Sequence, residues 1–409
     1  MSLAGTNLGY ARSYNRRVVL EAVRLHGPLS RAEIARLTAL TPQTISNIAQ
    51  ELERAGLVRA TGRRRAATGQ PPIELAINAE IAYTIGFQLD HRILVGVLVN
   101  FAGAIVNQID FAVAAPRPDE AVPLMVRGVD QLVAAAGIAR KEVWGVGVVM
   151  PGPFDVEGLT SVGPTTLPGW EGFPLERHLA DLLSLPVLVE NDATAAAVGE
   201  RLYGAAKHLR HFFYVFIGMG LGGGMMLDGQ PYRGAWGNAG ELGHVTVTPG
   251  GAACFCGNSG CLERYVSLHS AYEFLRAAGR SADTPEALDA LARQDDPSLL
   301  AWIASAAAHL RTALLTIENL LDPQTILLGG YLPPTVLDRL VADLEPLSPS
   351  ISRQAHRPQA RVMRATAGRH AAALGAAALP MFDTINPSFS LLLKAGTDAR
   401  SAAALLQRN

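Results

Sequence analysis

Three cysteines, Cys254, Cys256 and Cys261, crowd into eight of the chain's 409 residues, and the chain has no others. An odd number of thiols this close together suits metal ligation better than a disulfide framework. His244 stands ten residues before the first of them. One imidazole and three thiolates are the nitrogen and sulfur set of a tetrahedral zinc site. Gly257, Asn258 and Gly260 fall between the ligands and suit a tight loop around an ion. Four protein ligands leave no open position, so the expected Zn2+ holds structure and does not activate water. Whatever fold the chain adopts must bring residue 244 back onto this loop.

At roughly 100 to 200 residues per domain the length predicts two or three domains. A composition of 49% hydrophobic and 17% charged residues is that of a globular chain. No apolar run reaches the roughly 18 to 20 residues that span a bilayer, which predicts no membrane partner. Arg12, Arg16 and Arg17 are followed by no apolar stretch with a small-residue cleavage site, which predicts a cytoplasmic protein. Residues 1–80 hold eleven Arg against six Glu, a charge of +5, so the rest of the chain carries −6 of the overall −1. Such a basic head calls for a polyanionic partner of its own.

Within that head apolar residues recur at helical spacing: Val18, Val19, Ala22 and Val23, then Ile34, Ala35 and Leu37, then Ile45, Ile48, Leu52 and Leu57. Gly27-Pro28 ends the first helix, Ser30 with Glu33 caps the second, Thr41-Pro42 starts the third and Gly56 stops it. Leu57–Thr61 and Ile73–Ile77 read as strands of a hairpin with Arg63, Arg64 and Arg65 at its tip. Three helices and a basic hairpin predict a winged helix-turn-helix that folds separately. Its partner would be operator DNA. Gln43, Thr44, Ser46 and Asn47, near the start of the third helix, are the polar residues that can reach base edges. The three arginines would meet phosphate or a narrow minor groove. Paired half-sites predict a homodimer or homotetramer.

After about Asn78 strands alternate with helical runs, an α/β body. Tyr83–Leu89, Ile93–Val99 and Ala104–Phe111 read as a meander, followed by a helix near Ala121–Ala136 and a strand at Val143–Val149. A second series opens with Phe212–Gly218 and Gly222–Leu227, turns at Asp228-Gly229 and is expected to return through Val245–Val247. Both series begin strand, sharp turn, strand, so the body reads as two related sheet-bearing lobes around a cleft. The expected division is 1–80 for the head, 81–200 for the first lobe and 201–409 for the second.

The run Glu241-Leu242-Gly243-His244, followed by Cys254-Phe255-Cys256-Gly257-Asn258-Ser259-Gly260-Cys261-Leu262-Glu263, resembles the signature of the ROK family, named for repressors, open reading frames and sugar kinases. The resemblance covers nearly the whole chain, since family repressors also carry an N-terminal winged helix-turn-helix. It implies a two-lobed actin and sugar-kinase-like (ribonuclease H-like) body with a sugar in the cleft. Carried over residue by residue, it implies sugar contacts from Asn191, Asp192, Glu241, His244 and Glu263. Carboxylates and an amide can take several hydroxyl hydrogen bonds at once. His244 would join zinc to sugar, one nitrogen on each. For Asn191 and Asp192 the residues alone leave plain capping of the helix at Ala193–Leu202 as an equal reading. Sugar identity would depend on the Pro151-Gly152 turn and on Thr165 and Thr166.

In family kinases Asp192 would be the catalytic base, taking a proton from the attacking hydroxyl. Such kinases also show Asp-x-Gly-Gly-Thr-Lys at the first turn, where this chain has Gln88-Leu89-Asp90-His91-Arg92-Ile93. The carboxylate near magnesium becomes neutral Gln88, both glycines are lost, and Asp90 sets negative charge where phosphate should lie. The second turn, Gly218-Met219-Gly220-Leu221-Gly222-Gly223-Gly224, keeps its glycines and loses a hydroxyl, and Ile326–Gly330 resembles the adenosine side. In the wing, Gly69-Gln70-Pro71 replaces the Gly-Arg-Pro of similar repressors. The expectation is a sugar-responsive transcriptional repressor that has lost its ATP and Mg2+ site. The rival is an active ATP-dependent sugar kinase, like a glucokinase or an N-acetylmannosamine kinase, carrying a DNA-binding head.

Overall fold

Short-range chemistry sets the head as the sequence predicts. A computed structural model describes residues 8–63, 72–152, 167–352, 358–385 and 387. Helices α1 (Leu8–His26), α2 (Arg31–Thr38) and α3 (Pro42–Arg54) come first. The Glu33 carboxylate accepts from Ser30 N at 2.8 Å while the Ser30 hydroxyl accepts from Glu33 N, a complete capping box on α2. Thr41 caps α3 ahead of Pro42, and α3 turns Ile45, Ile48, Ala49 and Leu52 inward. Gly56, at φ +70°, ends the run. β2 (Val58–Arg63) pairs antiparallel with β3 (Ile73–Ile77). A two-residue strand the periodicity did not announce, β1 (Leu29–Ser30), pairs with the other edge of β3.

The two series of the body build sheets of the same plan. β4 (Tyr83–Leu89), β5 (Ile93–Asn100) and β6 (Ile105–Ala112) form the antiparallel meander. β7 (Val143–Met150) and β8 (Val187–Asn191) extend it in parallel, giving the order β6-β5-β4-β7-β8. β9 (Phe212–Ile217), β10 (Leu221–Leu227) and β11 (Gln230–Pro231) repeat the meander, with β12 (Thr325–Gly330) and β13 (Val362–Arg364) parallel to it, in the order β11-β10-β9-β12-β13. The expected return strand at Val245–Val247 is corrected. The Asp228-Gly229 turn returns at once into β11, and Val245–Val247 lies in the cysteine loop, where Thr246 bridges Cys261.

α4 (Pro118–Ala136) and α5 (Leu175–Leu183) cover one face of the first sheet through Met125, Val129, Leu132 and Leu179. α7 (Leu268–Ala277), α8 (Pro285–Arg293), α9 (Pro297–Leu321) and α10 (Pro334–Asp343) cover the second. α9 is long and apolar enough to cross a membrane, but Leu299, Trp302, Ile303, Ala306 and Leu310 are buried in this core. Between the sheets lie α6 (Asp192–Tyr203) and α11 (Ala371–Ile385). α6 packs on β9 and β10, α11 packs on β4 and β7, and the two helices pack on each other. The division at residue 200 thus falls inside α6, and the last interval of the sequence supplies a helix to the first sheet.

Glycines set that contact. A Cβ on Gly199 would stand 2.2 Å from Ala371 O, and one on Gly375 1.8 Å from Ala195 O, so the two helices meet backbone to backbone. The head is not a separate body. Its core of Leu20, Ile34, Ile45 and Leu52 continues into Phe101 and Met381 of the first lobe. Beside it the Glu21 carboxylate accepts from Arg24 Nε at 2.7 Å and from Arg201 Nη2 at 3.2 Å, while Arg24 Nη1 donates to Leu202 O at 3.1 Å.

Candidate functional site

β8 ends and α6 begins at Asn191-Asp192, which line a cleft together with the 218–223 turn, Glu241 and Glu263. Asn191 Oδ1 accepts from Ala193 N at 2.9 Å and Thr194 N at 3.2 Å, so the capping role holds and only its amide nitrogen is left for a ligand. Asp192 Oδ1 accepts from Ala193 N at 2.8 Å. Burial, then the charges of Asp90 and Glu241, push this carboxyl up to about 7 against the pull of the helix amides. Burial also raises Glu241.

On the opposite wall the tight turn at Leu242–His244 carries Glu241 and His244. His244 Nδ1 lies 3.7 Å from Cys254 Sγ, and its Nε2 lies 3.9 Å from Glu241 Oε2. One ring nitrogen therefore faces the thiols and the other the cleft, as the resemblance implies. Glu263 Oε2 accepts from Leu221 N at 3.0 Å. Its Oε1 is buried without a partner. The cleft brings together all five expected sugar contacts, Asn191, Asp192, Glu241, His244 and Glu263, along with Pro151 and Gly152. Thr165 and Thr166 lie outside the described residues.

The ligand atoms of His244, Cys254, Cys256 and Cys261 all lie within 4.8 Å of one another. Cys256 Sγ and Cys261 Sγ stand 3.7 Å apart, close to the roughly 3.8 Å edge of a tetrahedron with 2.3 Å zinc–sulfur bonds. Burial, then the neighbouring thiols, push Cys261 up to about 12. Burial holds His244 below its usual range, in the neutral form that ligates. Such a set fits Zn2+, whose charge would relieve the crowded sulfurs, and Gly257 and Gly260, at φ +91° and +75°, turn the loop between them.

The two turns expected to face a nucleotide differ. Gln88 is 1% exposed with its Oε1 unpartnered. At the first turn Asp90 N donates to Ile93 O at 2.9 Å and His91 N to Asp90 Oδ1 at 2.6 Å, so both amides are spent within the turn. At the second, a Cβ on Gly222 would stand 2.9 Å from Ala193 Cβ, and one on Gly224 2.4 Å from Ala193 O. These glycines let β10 lie against the first turns of α6. Gly330, φ +109°, closes on Ile217 O in the same way. Gly222 and Gly224 therefore have a packing reason that needs no phosphate.

In the head, Gln43 and Asn47 are exposed on α3 and joined at 3.2 Å. Thr44 shares a 2.9 Å hydroxyl contact with Thr41, and Ser46 is half-buried. Arg63 closes β2; Arg64 and Arg65 lie outside the described residues. The residue-by-residue reading gave Asp90 and Met219 only as parts of the two nucleotide turns, did not give Asn238, and did not give the Glu21–Arg24–Arg201 cluster, whose members stand up to 180 residues apart.

Comparison with known proteins agrees with this architecture. The ROK family model matches residues 91–381, and a MarR family model matches 15–66. A xylose repressor of Bacillus spizizenii is 26% identical over 338 residues, 82% of this chain and 87% of that protein. A ROK family transcriptional regulator, homologous to the Escherichia coli Mlc protein, superposes with a TM-score of 0.71 at 24% identity, covering 92% of this chain and 98% of the other. A ROK glucokinase from Streptomyces griseus, solved with glucose and AMPPNP, reaches 0.61 at 28% identity over 73% of this chain and 99% of its own. With its zinc-type cysteine loop, twin sheets and winged head in the expected order, this chain belongs to the ROK family.

Proposed function

We propose that this chain is a cytoplasmic, sugar-responsive repressor: the winged head binds operator DNA, a sugar in the cleft controls that binding, and a structural Zn2+ holds His244 and Glu263 in the cleft wall. The observation that carries the reading is the course of α6. Its first turn presents Asn191 and Asp192 to the cleft, and its last turn presents Arg201 and Leu202 O to Glu21 and Arg24 of the head. Twelve residues at 1.5 Å each make it about 18 Å long. A helix that ends on both sites can carry a shift from one to the other. With the chain as a homodimer or homotetramer, a tilt of each head would change the spacing between recognition helices, a coupling of typically about 1 to 3 kcal/mol.

Gln43 and Asn47 would read bases, with Thr44 and Ser46 nearer the backbone, and Arg63, Arg64 and Arg65 would supply phosphate or minor-groove contacts. The spent amides of the first turn and the packing role of the second speak against an ATP and Mg2+ site. Asp192, held near neutrality, is the one feature that favours a kinase.

The test uses DNA selected from a random library by the zinc-loaded protein. Its affinity, read by fluorescence anisotropy, should fall about fivefold to 150-fold when a sugar that binds by calorimetry is added. Operator affinity unmoved by every binding sugar would overturn the coupling, and Asp192-dependent phosphorylation of that sugar by ATP would restore the kinase.

A further inference from the structure

The cleft is acidic on both walls. Asp90 at the β4–β5 turn, Asp192 at the start of α6, Glu241 and Glu263 line it. Its other ionisable group, His244, is turned toward the thiols through Nδ1. Among the described residues that line the cleft none is Arg or Lys. Glu263, 6% exposed, keeps Oε1 without a partner. The Asp90 carboxylate is fixed, accepting from His91 N at 2.6 Å and facing its Nδ1 at 2.9 Å. It stands close enough to Asp192 for its charge to help keep a proton there.

Charge placed this way discriminates among sugars that share a shape. A phosphate ester would bring roughly two negative charges toward these carboxylates, with no Arg or Lys among the described lining residues to meet them and with the Asp90 and His91 amides already bonded within the first turn. An ammonium group would do the reverse, gaining a charge-assisted bond and easing the repulsion between carboxylates. We propose that Asp90 makes the cleft selective by charge: its sugar carries no phosphate, and an amino sugar is held more tightly than its neutral parent. This rests on the sugar-effector reading above.

The zinc-loaded full chain is titrated calorimetrically, at low ionic strength, with glucose, galactose and mannose and with the 2-amino and 6-phosphate derivative of each. For the hexose that fits, the amino form should bind about tenfold more tightly than the neutral form and the phosphate at least about tenfold more weakly. Both ratios should shrink in Asp90→Asn, persist in Asp90→Glu and contract as salt rises in the unaltered protein. Ratios of affinities, unlike affinities, are not moved by a general loss of fold. A phosphate bound as tightly as its parent, or ratios unchanged in Asp90→Asn, would overturn the proposal while leaving the sugar-effector reading intact. Binding of none of the nine, together with failure of pentoses and N-acetylated hexosamines to bind, would overturn both.

Discussion

Asp192 lines the cleft at a cost to the fold. Its carboxyl sits near 7, against an ordinary value of 3.8, so the folded chain holds a proton that the unfolded chain releases between these values. Stability is therefore lost as pH rises from about 4 and the loss is complete above about 7. The partial exposure of Asp192 moderates the size of this loss. Asp192→Asn should melt higher than the unaltered protein at pH 8, with the difference vanishing near pH 4, while sugar affinity falls at both; thermal melts and calorimetry at the two pH values check this. His244 ties the metal loop to the same cleft. Cys256→Ser should weaken sugar binding by about 10- to 100-fold, as loss of a supporting ligand does at metal sites, and leave DNA affinity in the absence of sugar within a factor of a few. Equal loss of both would show that the loop supports the head as well. The cysteine cluster and its histidine were legible because four ligands lie within 18 residues, where local spacing dictates proximity. Asp90 was legible only as a defect in a motif. That it shares a cleft with Asp192 depends on how two turns of one sheet meet, which periodicity does not encode.

α6 is the element that runs from the cleft to the head, and its ends make the prediction. Glu21, 8% exposed, is pulled below the usual carboxylate range by Arg24 and Arg201, which outweigh its burial. Removing one partner of such a buried set costs about 3 to 5 kcal/mol where the remaining charge stays buried. Glu21→Gln should therefore loosen the head from α6, and DNA affinity should become less responsive to sugar while each ligand still binds alone. Anisotropy titrations with and without sugar give the coupling directly; an unaltered coupling would remove α6 from the route. The head elements were almost fully legible, because caps such as Ser30 with Glu33 and Thr41 with Pro42 act within four residues. The return strand was misplaced because Val245–Val247 has the right residues for a strand but is claimed by the cysteine loop, a tertiary constraint overriding β propensity.

At the scale of the molecule, the sequence conveys twin lobes and a head but not how they share parts. The strand orders β6-β5-β4-β7-β8 and β11-β10-β9-β12-β13 follow from the repeated pattern of meander and crossover. No local signal tells that α11, more than 280 positions after β4, closes the first sheet, or that Met381 enters the core of the head. Met381 is 0% exposed. Met381→Ala should cost about 2 to 5 kcal/mol and lower the melting of head and body together, as followed by DNA-binding activity and by far-ultraviolet circular dichroism through one thermal ramp. Separate transitions would mean that the head unfolds on its own.

Between α6 and α11 there are no teeth. Packed helices ordinarily lock through side chains seated in each other's grooves, and one arrangement gives way to another by jumps. Gly199, Gly375 and the alanines around them let the backbones of two helices that belong to different sheets touch directly instead. A single methyl group added at Gly199 or Gly375 would meet a carbonyl oxygen of the facing helix and force the two apart.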